Sequence, residues 1–138
     1  MALLNIEVRG FRNLAPIARE VPRGTLLLLG PNGAGKSNLL EAVALLGNLA
    51  SFRQSLSASW VQRSAAGFAI SGTVERSGTV VELRQDASVR RTLVRSLYRG
   101  ARRVDAAEYL EVFPVAAFSS HDRQLIWGAP EDRRRFLD

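Results

Sequence analysis

The sequence predicts an α/β fold, and three observations carry that expectation. A short apolar run occupies residues 25–29, a glycine-rich loop follows directly at 30–37, and residues 38–46 place apolar side chains on one helical face without glycine or proline. Thr25-Leu26-Leu27-Leu28-Leu29, entered from the Pro22-Arg23-Gly24 turn, reads as a strand buried on both faces. The loop Gly30-Pro31-Asn32-Gly33-Ala34-Gly35-Lys36-Ser37 fits G-x-x-x-x-G-K-[ST] at every fixed position, and Asn38-Leu39-Leu40-Glu41-Ala42 opens the helix. Strand, loop and helix in that order form the context in which such a loop holds phosphate.

The chemistry needs these residue types. Gly30, Gly33 and Gly35 let successive backbone N–H groups turn inward towards phosphate oxygens. The helix beginning near Lys36 adds its positive N-terminal pole. Lys36 supplies a compact ammonium for the β- and γ-phosphates, where a planar guanidinium fits poorly. Ser37 offers a hydroxyl to Mg²⁺, a cation that takes oxygen ligands. Of 19 basic residues Lys36 is the single lysine, and the other 18 are arginines. The loop is therefore a candidate holder of a nucleoside triphosphate with Mg²⁺.

Composition narrows the class. The 138 residues suit one domain, and 46% hydrophobic with 23% charged residues is a globular balance. No apolar run approaches the roughly 18 residues needed to cross a bilayer, and Met1–Phe11 lacks the basic head and apolar stretch of a secretory signal. There is no cysteine and one histidine, which excludes disulfides, thiolate catalysis and cysteine-ligated zinc and agrees with the cytoplasm.

Two segments precede the loop. Leu3–Val8 alternates and Ile17–Val21 is a second strand candidate, with Gly10-Phe11-Arg12-Asn13-Leu14 as a polar corner between them. Antiparallel strands ahead of the phosphate loop point to an ATPase of the ABC type. The corner, the GPNGAGKSNLLEA stretch at 30–42, Ser51-Phe52-Arg53, Val115-Ala116-Ala117-Phe118-Ser119 and the closing 128–138 segment with RRRFLD together resemble the RecF family of bacterial recombination mediators, relatives of the SMC ATPases. The resemblance covers essentially the whole chain. It implies a P-loop NTPase fold of the ABC/SMC-head type, present as a truncated N-terminal lobe with a β-rich subdomain.

The same resemblance brings Arg12 and Asn13 close to the nucleotide and adds Asn38 to the loop residues. It also implies an ATP-binding, DNA-binding protein of replication and recombinational repair, acting in the SOS response. Single-stranded gaps, duplex DNA, other recombination mediators and an ATP-dependent homodimer of full-length heads are the implied partners. The family's S-P-E-D departs here to Ser119-Ser120-His121-Asp122. The glutamine that SMC relatives carry near that point is not transferred to Gln124. The alternatives are an ABC-family subunit of another system, for which Phe11 is a loose adenine-stacking candidate, and a truncated inactive remnant.

A Walker B strand and a signature segment are not found, so no catalytic residue is assigned and the chain is expected to bind nucleotide rather than turn it over. It is expected to be the N-terminal part of a head, with strands, P-loop and first helix in 1–50, a β-rich basic region in 67–104, and a helix, a strand and the start of an arm in 105–138. Within the β-rich region Phe68–Val74 and Thr79–Leu83 flank a connection at 75–78, and a further pair spans Val89–Leu97 and Ala101–Val104. Asp105–Val112 is helical and Phe113–Phe118 returns to strand. A second helix is expected to begin near Pro130.

Charge is concentrated in one place. Residues 84–103 carry seven arginines against Asp86, a net +6 equal to that of the chain. A surface meeting a nucleic-acid backbone would look like this, as would an edge hairpin kept soluble by charge. Arg90, Arg91, Arg102 and Arg103 are the weak DNA candidates, with only Tyr98 nearby to stack on a base. His121 is expected at a surface turn, Trp60 and Trp127 in packing, and Glu41 against solvent or a neighbouring arginine with no assigned role.

Overall fold

The computed structural model describes residues 1–53 and 57–119. The alternating N-terminal segment forms strand β1 (Ala2–Arg9), and the chain turns at the Gly10–Leu14 corner into β2 (Ile17–Glu20), antiparallel to it. Helix α1 (Lys36–Asn48) follows the glycine-rich loop. After a single 3-10 turn at Ser57–Trp60 come β3 (Gly67–Arg76), β4 (Thr79–Val89), β5 (Leu93–Arg99), β6 (Arg102–Val104) and the short helix α2 (Ala106–Leu110). The strands make one antiparallel sheet in the order β2-β1-β3-β4-β5-β6. The long connection between β2 and β3 thus carries the loop and α1, while β3 returns beside β1.

Alternation decides which face meets the helix. Ile6 and Val8 of β1 lie opposite Gly72 and Ile70 of β3, and with Val74 and Leu83 they are buried against Ala42, Leu45 and Leu46 of α1. Fully burying an aliphatic side chain of this size contributes about 1.5–3 kcal/mol, so this one stripe is a principal part of the core. Gly72 permits the close approach: a methyl group there would meet Leu46 Cδ2 and Asn5 O, each at 2.8 Å. Phe11 and Phe68 pack edge to face at 5.5 Å with Trp60 beyond, so Trp60 is a packing residue, as expected. Tyr109 is wholly buried; burial pushes its phenol pKa up, against the opposing effects of Gln85 and Arg95.

The β-rich segment extends further than its sequence suggested. Phe68, Ile70 and Val74 do share the buried face, and Ser77 (φ 50°) and Gly78 (φ 78°) supply the two positive dihedrals of a tight hairpin turn. β4, however, continues through Gln85 and Ala87 to Val89, because the alternation of buried Leu83, Gln85 and Ala87 persists through polar neighbours. The next strand accordingly begins at Leu93, not at Val89.

Two expected strands are not formed. Residues 25–29 have no sheet partner among the described residues, and Leu26, Leu27 and Leu29 are 51%, 73% and 82% exposed. A doubly buried strand needs neighbours on both edges, and the antiparallel sheet supplies neither. Residues 113–118 are likewise outside any strand. Val115 is nonetheless anchored: its N–H donates to Asn48 Oδ1 at 2.9 Å and its carbonyl accepts from Asn48 Nδ2. His121, Gln124, Trp127, the helix expected near Pro130 and the RRRFLD segment lie outside the described residues.

Candidate nucleotide site

The glycine-rich loop ends in a helix start without a side-chain cap. Gly35, the residue before α1, has φ 91° and no side chain bonds the first-turn N–H groups. No acidic residue occupies that turn, so its positive pole is unopposed. Gly30 (φ 148°) and Gly33 (φ 84°) adopt dihedrals that side-chain-bearing residues avoid. Lys36 folds back over the loop, its Nζ donating to the carbonyls of Gly30 and Pro31 at 2.8 Å each. Ser37, in the first turn, is exposed. Backbone donors, an ammonium and a free helix start suit phosphate, and the Ser37 hydroxyl suits a hard cation held beside it.

The Gly10–Leu14 corner lies against this loop. Arg12 sits at φ 54°, and its backbone N–H donates to Trp60 O at 2.8 Å. Leu14 packs so closely on Gly35 that a methyl there would meet Leu14 Cδ2 at 2.5 Å. Asn13 Nδ2 donates to Gly33 O at 3.1 Å and Asn38 Nδ2 donates to Asn13 Oδ1 at 2.6 Å. Arg12, Asn13 and Asn38 therefore converge with Gly30–Ser37 in one place, although they come from two separate segments.

Two residues left without a role in the sequence join them. Glu41 does not face solvent: its side chain is 0% exposed, although it is bound to arginine. It accepts from Arg12 Nη2 at 2.6 Å and Nε at 3.1 Å, from Ser51 Oγ at 2.6 Å and from Arg53 Nη1 at 3.3 Å. Arg53 Nη1 also donates to Asn38 Oδ1 at 2.6 Å. A single acidic residue one turn into a helix carries no periodic signal that distinguishes a buried ion pair from a solvated face. The only hint was Arg12 and Arg53 flanking it in the chain.

Two cavities meet at this network. One, of about 230 Å³, is walled by the loop with Lys36, Ser37 and Asn38. A larger hollow of about 920 Å³ lies beyond, between Arg12, Ser59, Gln62, Arg63 and Ser64. Asn13, Asn38 and Arg53 border both. Phe11 reaches neither, being 0% exposed, so it has no face to offer an adenine ring.

The basic stretch is divided by the sheet. Arg90 and Arg91 lie exposed in the β4–β5 turn, whereas Arg102 and Arg103 lie on β6 at the far end of β5, roughly 20 Å away at about 3.3 Å per residue. Arg102 pairs with Glu108, as Arg99 does at 3.8 Å. Arg103 lies opposite Tyr98, over whose ring the Arg84 guanidinium stands at 4.3 Å. Arg95 is turned inward, donating to Leu49 O at 2.7 Å beside Trp60, and burial lowers its pKa. No group of three or more histidine and acidic residues is placed to hold a metal among the described residues, and none of their helices is long and apolar enough to cross a membrane.

This geometry defines the class: the chain has the fold of the N-terminal lobe of a P-loop ATPase head of the RecF and SMC type. A solved SMC ATPase structure aligns with 99% of the chain at a TM-score of 0.76 and 17% identity, a likeness of fold alone. The sequence is RecF-like along its whole length. It is 38% identical over 140 residues to the DNA replication and repair protein RecF of Gloeobacter violaceus, and 41% identical over 143 residues to that of Anaeromyxobacter dehalogenans (strain 2CP-C). Both matches include 100% of this chain, and it spans 36% and 37% of those relatives. A solved recombination mediator RecF with ATP aligns with 99% of the chain and 38% of its own, at a TM-score of 0.85 and 31% identity. No family model matches the chain.

Proposed function

We propose that this lobe binds Mg-ATP and serves a RecF-type protein of DNA replication and recombinational repair. One observation carries the proposal: the uncapped start of α1 and the Lys36 ammonium face the same small cavity as Asn13, Asn38 and Arg53. Gly30–Ser37 would hold the triphosphate, and Lys36, now on the Gly30 and Pro31 carbonyls, would supply its ammonium to the β- and γ-phosphates. Ser37 would offer its hydroxyl to Mg²⁺. Asn13 and Arg53, which border both cavities, would leave the larger hollow open to the nucleoside. The solved relative with ATP supports the ligand class.

The chain's own residues bind, orient and neutralise phosphate. Hydrolysis also needs an acidic metal partner and a positioned water, and Glu41, the acidic residue on α1, is committed to arginines. The remaining parts of the proposal are those the sequence resemblance implies: head-to-head dimerisation with ATP, contact with gapped and duplex DNA, for which Arg90, Arg91, Arg102 and Arg103 are the candidates, work alongside other recombination mediators, and a cytoplasmic site of action.

Calorimetric titration with Mg-ATP tests the proposal. Wild type should bind, Lys36→Ala should not, and the variant's thermal unfolding should match wild type because Lys36 touches only loop carbonyls. Equal ATP affinity in the two proteins would remove the proposal. Phosphate release by the 138-residue chain should stay at background; release that disappears in Ser37→Ala would show a complete catalytic set.

A further inference from the structure

We infer that Glu41 is a positioning residue of the nucleotide site, a buried carboxylate that aims Arg12 and Arg53 at the ligand. The inference rests on the nucleotide assignment above and adds to it how the two guanidiniums are set.

A carboxylate with no exposure keeps its charge only when partners replace the lost water. Glu41 has four donor contacts: two from Arg12, one from Ser51 and one from Arg53. The Arg12 contact is two-pronged, fixing the guanidinium plane as well as its position. The remaining Arg12 nitrogen, Nη1, is used too, donating to Ser59 Oγ at 2.9 Å and Ser59 O at 3.2 Å. Both arginines still reach the cavity walls, and their side chains keep 16% and 34% exposure while Glu41 keeps none. The carboxylate thus lies behind the site with the cations in front of it.

Two further features indicate constraint. Arg12 holds a left-handed backbone conformation, which for a residue with a long side chain persists only where its surroundings enforce it. From Arg53 the bonding continues through Asn38 and Asn13 to the carbonyl of Gly33 inside the phosphate loop. Glu41 is therefore connected to the loop backbone by hydrogen bonds alone, without touching the cavity.

Charge and position make opposite predictions. Removing a negative charge from behind a triphosphate site strengthens anion binding if only the field matters. Releasing Arg12 and Arg53 from their fixed orientation weakens it. Glu41→Gln, which keeps shape and one acceptor, should lower Mg-ATP affinity about tenfold, the low end of what loss of an outer-shell orienting partner costs at metal sites. In an Arg12→Ala/Arg53→Ala background the same substitution should no longer weaken binding, since nothing is left to aim and only the field of the lost charge remains. The Arg12 Nε–H, bonded to Glu41, should exchange slowly with solvent in wild type and faster in Glu41→Gln.

Tighter or unchanged binding in a folded Glu41→Gln overturns the inference, as does an undiminished effect in the double-arginine background. If Glu41→Gln does not fold, Ser51→Ala takes its place, because it removes one donor to Glu41 outside the cavity. It should weaken Mg-ATP binding severalfold, and equal affinity there also overturns the inference. The controls separate the two claims. A flat wild-type titration ends the nucleotide assignment and the positioning role with it. Binding by wild type but not by Lys36→Ala, with Glu41→Gln equal to wild type, ends the positioning role alone.

Discussion

The antiparallel sheet and the segment leading into the phosphate loop each contain an apolar stretch in sequence, and the two are opposite in structure. Phe68-Ala69-Ile70 in β3 lies between β1 and β4, and Ile70 is 0% exposed. Leu26-Leu27-Leu28-Leu29 is richer in leucine, yet Leu29 is 82% exposed and the run has no sheet partner among the described residues. What separates them is the supply of neighbours. A strand is completed by other strands, and β-propensity measures how well a side chain fits a surface that must already exist.

The sharpest way to break this contrast is at Gly67. A methyl group there would meet Ala87 O at 1.9 Å in the paired β4 backbone, so Gly67→Val should abolish the cooperative unfolding transition seen by circular dichroism. Next in size, Ile70→Ala should cost about 2–5 kcal/mol in urea unfolding. Leu29→Ala should stay within about 0.5 kcal/mol, since an exposed side chain leaves no cavity. A large loss at Leu29 would show that the run is covered after all. Within the loop, Gly33→Ala meets open space and should cost about 1 kcal/mol from its dihedral alone.

The smallest expected effect compares the two ends of the sheet. Replacing Arg90 and Arg91 with serine should lower the log–log salt slope of DNA binding by about 1.8, at about 0.9 per phosphate. Replacing Arg102 and Arg103 should lower it less, because Arg102 is paired with Glu108. Equal slopes in all three proteins would place any DNA contact elsewhere.

Local signals were legible in the sequence to the extent that their causes are local. The loop motif, the start of α1, the strands β1 and β2 and the Ser77-Gly78 turn depend on residues close in the chain, and all appear where expected. The position of Arg12 and Asn13 beside the loop was legible only through family resemblance. The buried network of Glu41 and Arg53 was not legible, because it depends on Ser51 and Arg12 arriving from either side of the helix. The basic stretch was legible as charge but not as a surface: counting charge along the chain cannot tell that β5 separates its two arginine pairs or that Arg95 points inward.

The reciprocal bonds between Asn48 and Val115 link positions 67 apart in the chain. In folding terms they form a clasp across an excursion that contains β3 to β6 and α2. Closing so long a loop early carries a large entropic cost, while a sheet already assembled brings the ends together. The clasp should therefore form late, and the side-chain amide signal of Asn48 would mark the moment the chain becomes native: absent from any partly folded species that already has its sheet, and present only when the end of the helix and the segment after α2 have met.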